Sequence, residues 1–150
     1  GLLMARAYYQ LGHAEKGQAI IDEVSERIGN NLAWFDRLTP QQMADSWIDI
    51  SRNNLDPLLL IASIYQQYDK KKYQPLIDDL LQRAQFYYTR GITPLGDSVV
   101  QEITNVSIRG FYSSGADSAS RKMDEQNVQK TLKLMQQFNP KLLEQYGNVK

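Results

Sequence analysis

Along most of this chain, apolar residues recur three and four positions apart. Glycine, proline and asparagine interrupt the recurrence at short intervals. Only a 3.6-residue period gathers such residues onto one stripe, so the backbone is confined to short helices that bury a shared face. Leu3, Ala7 and Leu11 lie four apart, as do Met4 and Tyr8. This spacing predicts a helix from Leu2 to Leu11, ended at Gly12-His13 by the usual left-handed glycine. Ala19, Ile20, Val24 and Ile28 predict a second helix from about Ala14 to Ile28, broken by Gly29-Asn30-Asn31. The connection is short, so the two helices are expected to pack antiparallel.

The pattern continues downstream. Leu32, Trp34, Phe35 and Leu38 form a short aromatic segment. Thr39-Pro40-Gln41-Gln42 then has the form of a capping box, with Thr39 as N-cap, Pro40 first in the helix and Gln42 the reciprocal partner. Met43, Trp47 and Ile50 stripe that helix, which is expected to fade near Asn53-Asn54. Asp56-Pro57 restarts the pattern by the same cap logic, and Leu58, Ile61, Ala62, Tyr65 and Tyr68 follow at helical spacing. A break at Asp69 to Lys72 leads to Pro75 and the most amphipathic stretch of all: Leu76, Ile77, Leu80, Leu81, Ala84 and Tyr88. Beyond the loop that opens at Gly91, Val99, Ile103 and Val106 favour a helix, whereas Val100, Thr104, Val106 and Ile108 suit a strand, so 97–110 stays open between the two. Residues 110–120 are rich in glycine and serine and read as a flexible loop. Met123 to Phe138 reads as helix through Leu132, Met135 and Phe138, and Asn139-Pro140 caps a last short helix.

The expected fold is therefore all-α, built of antiparallel helical hairpins, with seven or eight helices in a single domain over 1–150. Within it, 1–90 forms the hairpins with inserted aromatic helices, and 91–150 a C-terminal helical extension. The first hairpin can be laid on the tetratricopeptide pattern, whose pairs stack into a right-handed superhelix. Met4 falls at its leucine, Ala5 at its glycine, Tyr8 at its tyrosine, Gly17 at its small residue and Ile21 at its phenylalanine. The physical sense is that Ala5 and Gly17 let two backbones approach while Tyr8 and Ile21 fill the seam. Gly1 stands at the tryptophan position and the closing proline is absent. A second unit, on Ile61, Ala62 and Tyr65, fails at Gln74 and Asp78. A plain helical bundle remains the competing reading.

Charge and composition exclude several functions. Seventeen basic residues balance seventeen acidic ones, and the only basic run is Lys70-Lys71-Lys72. Phosphate neutralisation supplies most nucleic-acid affinity, so no nucleic-acid partner is expected. With no cysteine there is no disulfide or thiolate site. The longest aliphatic run, Leu58 to Ala62, is far short of the ~18–20 residues of a membrane span, so membrane insertion is not expected. Gly1 opens directly onto Leu2-Leu3-Met4-Ala5, where a natural start would place methionine; this points to a piece of a longer protein.

Met4 to Gly12 (Met-Ala-Arg-Ala-Tyr-Tyr-Gln-Leu-Gly), Ile20 to Glu23, Trp34-Phe35 with Leu38, and Met43-Ala44 together resemble the C-terminal soluble region of a family of bacterial multi-pass membrane proteins. Their N-terminal part resembles protein O-mannosyltransferases. The likeness covers about the first ninety residues and is specific in the first thirty. It implies an appended helical domain on the extracytoplasmic (periplasmic) side, with the transferase's catalytic residues elsewhere in the parent chain.

Residues that could carry chemistry each have a plainer reading. His13 could act as a base or metal ligand, but it is the sole histidine, and metal sites need several ligands. No metal and no cofactor is expected. Asp45, Asp49 and Arg52 are spaced for acid–base work or, more commonly, for exposed ion pairing. Asp78 and Asp79 are adjacent and so point to different faces. Trp34, Phe35 and Trp47 could stack against a sugar or fill the core. Asp97-Ser98-Val99 and Asp117-Ser118-Ala119 resemble a short O-glycosylation acceptor motif of the kind that arises readily by chance.

The function this favours is a non-enzymatic interaction or accessory module of a membrane-associated, glycosyltransferase-like protein. Its groove would be formed by Leu2, Arg6, Tyr9 and Gln10 of the first hairpin with Leu59, Ser63 and Gln66 of the second unit, and would take a peptide or a neighbouring domain. Substitution of Arg6 and Tyr9 is then expected to weaken docking and leave folding intact. The alternatives are a carbohydrate-binding accessory domain, a stand-alone secreted scaffold, and an enzyme, for which no convergent set of ionisable residues appears.

Overall fold

The computed structural model describes residues 1–92, 100–103, 105, 106, 122, 125, 126, 128–133 and 136. The first hairpin is α1 (Leu2–Gln10) and α2 (Ala14–Phe35). Then follow α3 (Pro40–Asp45), α4 (Trp47–Ile50), a π turn (Ser51–Leu55), α5 (Asp56–Tyr68) and α6 (Lys70–Thr89). Helical backbone recurs at 100–103, 105 and 106, which resolves the helix-or-strand question there to helix. It recurs again at 122, 125, 126, 128–133 and 136. No strand occurs among the described residues, and the chain is all-α. The readings placed on 93–99, 107–121 and 137–150, including both acceptor-like motifs, lie outside the described residues.

Gly12 closes α1 as expected. Its φ is +78°, its N–H donates to Tyr9 O at 3.1 Å, and the His13 N–H donates to Tyr8 O at 2.8 Å. These are the paired bonds of a Schellman ending. Gly91 closes α6 the same way at φ +84°, with Ile92 N–H donating to Tyr87 O at 3.1 Å. The chain reverses within three residues after α1, and α1 and α2 pack antiparallel. Their approach is close because Gly17 has no side chain: a Cβ there would stand 2.7 Å from Tyr9 Cδ2 and 2.9 Å from the Ala5 carbonyl oxygen. Ala5 and Ile21 are fully buried beside it.

Three boundaries differ from the sequence reading. The second helix does not end at Ile28 but runs on to Phe35, about 33 Å in all. Gly29, Asn30 and Asn31 are poor helix formers and together cost about 2 kcal/mol. Ile28, Leu32 and Phe35 lie on one face and are buried, each contributing about 1.5–3 kcal/mol, so burial wins. What reads as a separate aromatic segment is thus the last turn of α2.

The Thr39 capping box forms as expected. Thr39 Oγ1 accepts from the Gln42 N–H at 3.2 Å, and Gln42 Oε1 accepts from the Thr39 N–H at 3.0 Å. The helix it starts is interrupted at Ser46 and then does not fade near Asn53-Asn54. The wide turn carries helical backbone straight into α5, and Asp56 is helical (φ −60°, ψ −44°) with no capping role. Asn54 makes this tolerable. Its side chain is fully buried, its Nδ2 donates to Asp49 O at 3.0 Å, and its Oδ1 accepts from Asn31 Nδ2 at 3.1 Å. A π turn misaligns backbone partners, and the Asn54 amide supplies one of them, to the Asp49 carbonyl.

Finally, α6 begins at Lys70, five residues before Pro75, which sits on its exposed side. There the proline's missing N–H costs one bond on the solvated face. The core joins Ile21, Ile28 and Leu32 of α2 to Met43, Ile50, Leu55, Ile61 and Ile64, and to Ile77, Leu80 and Tyr87 of α6. Val100, Ile103, Val106 and Leu132 extend it. Lys130 Nζ, 2.9 Å from Asp78 Oδ2, ties a C-terminal helical residue to α6.

Candidate functional site

Of the seven residues of the expected groove, five are wholly or partly buried. Tyr9 is buried, and its ring stacks on Tyr68 with centroids 5.5 Å apart. Its hydroxyl donates to Gln18 Oε1 at 2.7 Å, and Gln18 Nε2 donates in turn to the Tyr65 hydroxyl at 2.9 Å and to Asp22 Oδ1 at 2.6 Å. Burial raises both tyrosine hydroxyls above their ordinary range, and Asp69 and Asp22 add to the rise. Tyr9 therefore seals α1 against α2 and α5, and its substitution would damage folding, contrary to the sequence expectation. Leu2 is half-buried against the core. Leu59 is buried. The Ser63 hydroxyl donates to Leu60 O at 3.0 Å. Gln66 Nε2 donates to Val106 O at 2.7 Å and to the Tyr73 hydroxyl at 3.3 Å, so the chain itself takes up that side. Only Arg6 and Gln10 of the seven are open to solvent.

The buried face of α1 is centred on Ala5 and Tyr9. Tyr9, not Tyr8, fills the seam; Tyr8 is half-buried, edge-on to His13, with Lys16 Nζ 5.9 Å from its ring centroid. Met4, which falls at the leucine of the tetratricopeptide pattern, is 57% exposed. Leu3 is 75% and Leu11 72% exposed. At 100° per residue, Leu3, Ala7, Leu11 and Met4 fall within roughly 100° of arc, opposite Ala5 and Tyr9. The helix thus has two apolar faces, one sealed into the core and one facing water. The four-residue spacing of Leu3, Ala7 and Leu11 is legible in the sequence, but there it reads as core.

The aromatic platform is likewise not assembled. Phe35 is buried, and Trp47 is buried edge-on to Tyr87 at 5.7 Å, whereas Trp34 is 57% exposed. The expected ion pairing of Asp45, Asp49 and Arg52 is also replaced. The helix breaks between the two carboxylates, Asp45 accepts from Gln41 Nε2 at 2.9 Å, and Asp49 accepts from Asn53. Asp78 and Asp79 do diverge, the first to Lys130 and Gln74, the second to Arg83.

A cluster that sequence reasoning missed closes the far end of α2. Asp36 Oδ2 lies 3.0 Å from Arg83 Nη1, and Asp36 Oδ1 accepts from the Tyr87 hydroxyl at 3.3 Å. Arg90 donates to Asp36 O at 3.0 Å and to Leu38 O. Burial, then the Asp36 charge, pushes the Tyr87 hydroxyl well above its ordinary range. Both Asp36 oxygens are engaged, so the cluster acts as a clasp between α2 and α6. No sequence spacing announces it, because Asp36 and Arg83 are 47 residues apart. No three histidine, aspartate or glutamate side chains converge in a metal-holding group among the described residues. No described helix is long and apolar enough to cross a membrane.

No known family model, curated protein or solved structure matches the chain.

Proposed function

We propose that this chain is a non-enzymatic helical interaction module, and that it docks a helical segment of a peptide or a neighbouring domain on the outward face of α1. The observation that carries the reading is the exposure of Leu3, Met4 and Leu11 on one side of a helix whose other side is locked by Ala5 and Tyr9. Contiguous exposed apolar residues are a cost that proteins tolerate where something binds. The resemblance of the first thirty residues to appended tails of transferase-like membrane proteins favours a neighbouring domain as the occupant and an extracytoplasmic setting.

The test is a titration of the chain into a fluorescein-labelled amphipathic helical peptide with a leucine stripe and glutamine flanks, followed by anisotropy. Binding is expected, and loss of binding in the Leu3→Asp/Leu11→Asp variant with unchanged helical circular dichroism. Retained binding in that variant would place docking elsewhere. The carbohydrate reading now rests on Trp34 alone. A change in its emission with added mannose oligosaccharides, absent in Trp34→Ala, would favour that reading instead.

A further inference from the structure

We infer that the partner of the α1 face is an amphipathic helix whose apolar stripe is bordered by carboxylates; this rests on the docking reading above. The stripe of Leu3, Met4, Ala7 and Leu11 has a cation on each side. Arg6 is exposed on one flank. On the other, Lys16 reaches across from α2 to Tyr8, with its Nζ 5.9 Å from the ring centroid. Neither makes an ion pair among the described residues. No carboxylate lies on α1 or in the turn that follows. The nearest along the chain, Glu15, is two positions from Gly17, roughly 200° around α2 from the face that meets α1. A helix laid along the stripe would therefore meet positive charge on both edges, and carboxylates there would be complementary.

Size argues for a single helix. α1 has nine residues and is about 14 Å long. Its few exposed apolar side chains fall well short of the roughly 800 Å² per partner that a stable dimer buries, so a second copy is not the occupant. Helix-in-groove recognition uses a stripe of this length. An anionic membrane is disfavoured because surfaces that bind lipid headgroups gather about four to eight basic residues, and this face has two.

The experiment uses the whole chain and two fluorescein-labelled 14-residue peptides with one leucine stripe, flanked by glutamate in one and by lysine in the other. At 50 mM salt the glutamate peptide is expected to bind about tenfold more tightly, since each exposed charge pair is worth up to about a factor of five. The preference is expected to shrink at 500 mM salt, to invert in Arg6→Glu/Lys16→Glu, and to vanish with all binding in Leu3→Asp/Leu11→Asp. Equal binding, or preference for the lysine peptide, overturns the charge inference and leaves the docking reading standing. If neither of these peptides binds, nor the glutamine-flanked one, the docking reading itself is lost. A Leu3- and Leu11-dependent dimer in sedimentation equilibrium, or binding to vesicles containing 30% phosphatidylserine through the same residues, assigns the face to a second copy or a membrane and overturns the proposal.

Discussion

Two adjacent tyrosine pairs show where single residues decide the fold. At Tyr8-Tyr9 and at Tyr87-Tyr88 the spacing offers either ring as the buried one, and a 3.6-residue period cannot choose between neighbours. In both places the structure buries the member that the sequence reading did not place in the core: Tyr9 against Gln18 and Tyr68, and Tyr87 against Asp36 and Trp47. The deciding information is a tertiary hydrogen-bond acceptor, which no local pattern contains. Gly17 is the opposite case, because its role is legible beforehand. The substitution Gly17→Ala gains about 1 kcal/mol of helix propensity, yet it places a methyl 2.9 Å from a backbone oxygen that cannot move independently. A net loss of about 1–3 kcal/mol is expected by chemical denaturation. A variant as stable as the parent would show that α1 and α2 can part without cost.

The elements themselves were largely legible from spacing and caps, and their boundaries were not. Gly12 and the Thr39-Gln42 box end and start helices where their local chemistry says they should, since both act within six residues. Gly29-Asn30-Asn31 and Asn53-Asn54 carry the same kind of local stop signal and are overridden. In the first, buried neighbours on one face outweigh propensity. In the second, Asn31 and Asn54 bond to each other across the two would-be breaks. Each stop becomes the other's partner, which is invisible when either is read alone. Asn54→Ala is accordingly expected to cost about 2–3 kcal/mol, from two lost hydrogen bonds and a small void. A cost under about 1 kcal/mol in urea unfolding would mean the wide turn stands without that side chain.

Across the whole molecule, α2 is the spine, with a tyrosine cluster near its start and the Asp36 clasp at its end. Both ends hold hydroxyls whose folded pKa values lie above the ordinary 10.0 of tyrosine. Above pH 10 the unfolded chain sheds these protons while the folded chain keeps them, so stability is whole below pH 10 and falls as pH rises past it. The denaturation midpoint is expected to drop between pH 9 and pH 11, and to drop less in Tyr87→Phe; an unchanged midpoint would contradict the burial of these groups. The wide turn between α4 and α5 has a different consequence. A π turn accommodates one residue more than a regular helical path between the same two faces. Excision of one of Ser51, Arg52 or Asn53 would let the backbone tighten to ordinary winding while Trp47 and Leu58 keep their orientation. The protein thus has a spare link in the middle of an otherwise unforgiving rod, where chain length can change without turning the sides of the rod.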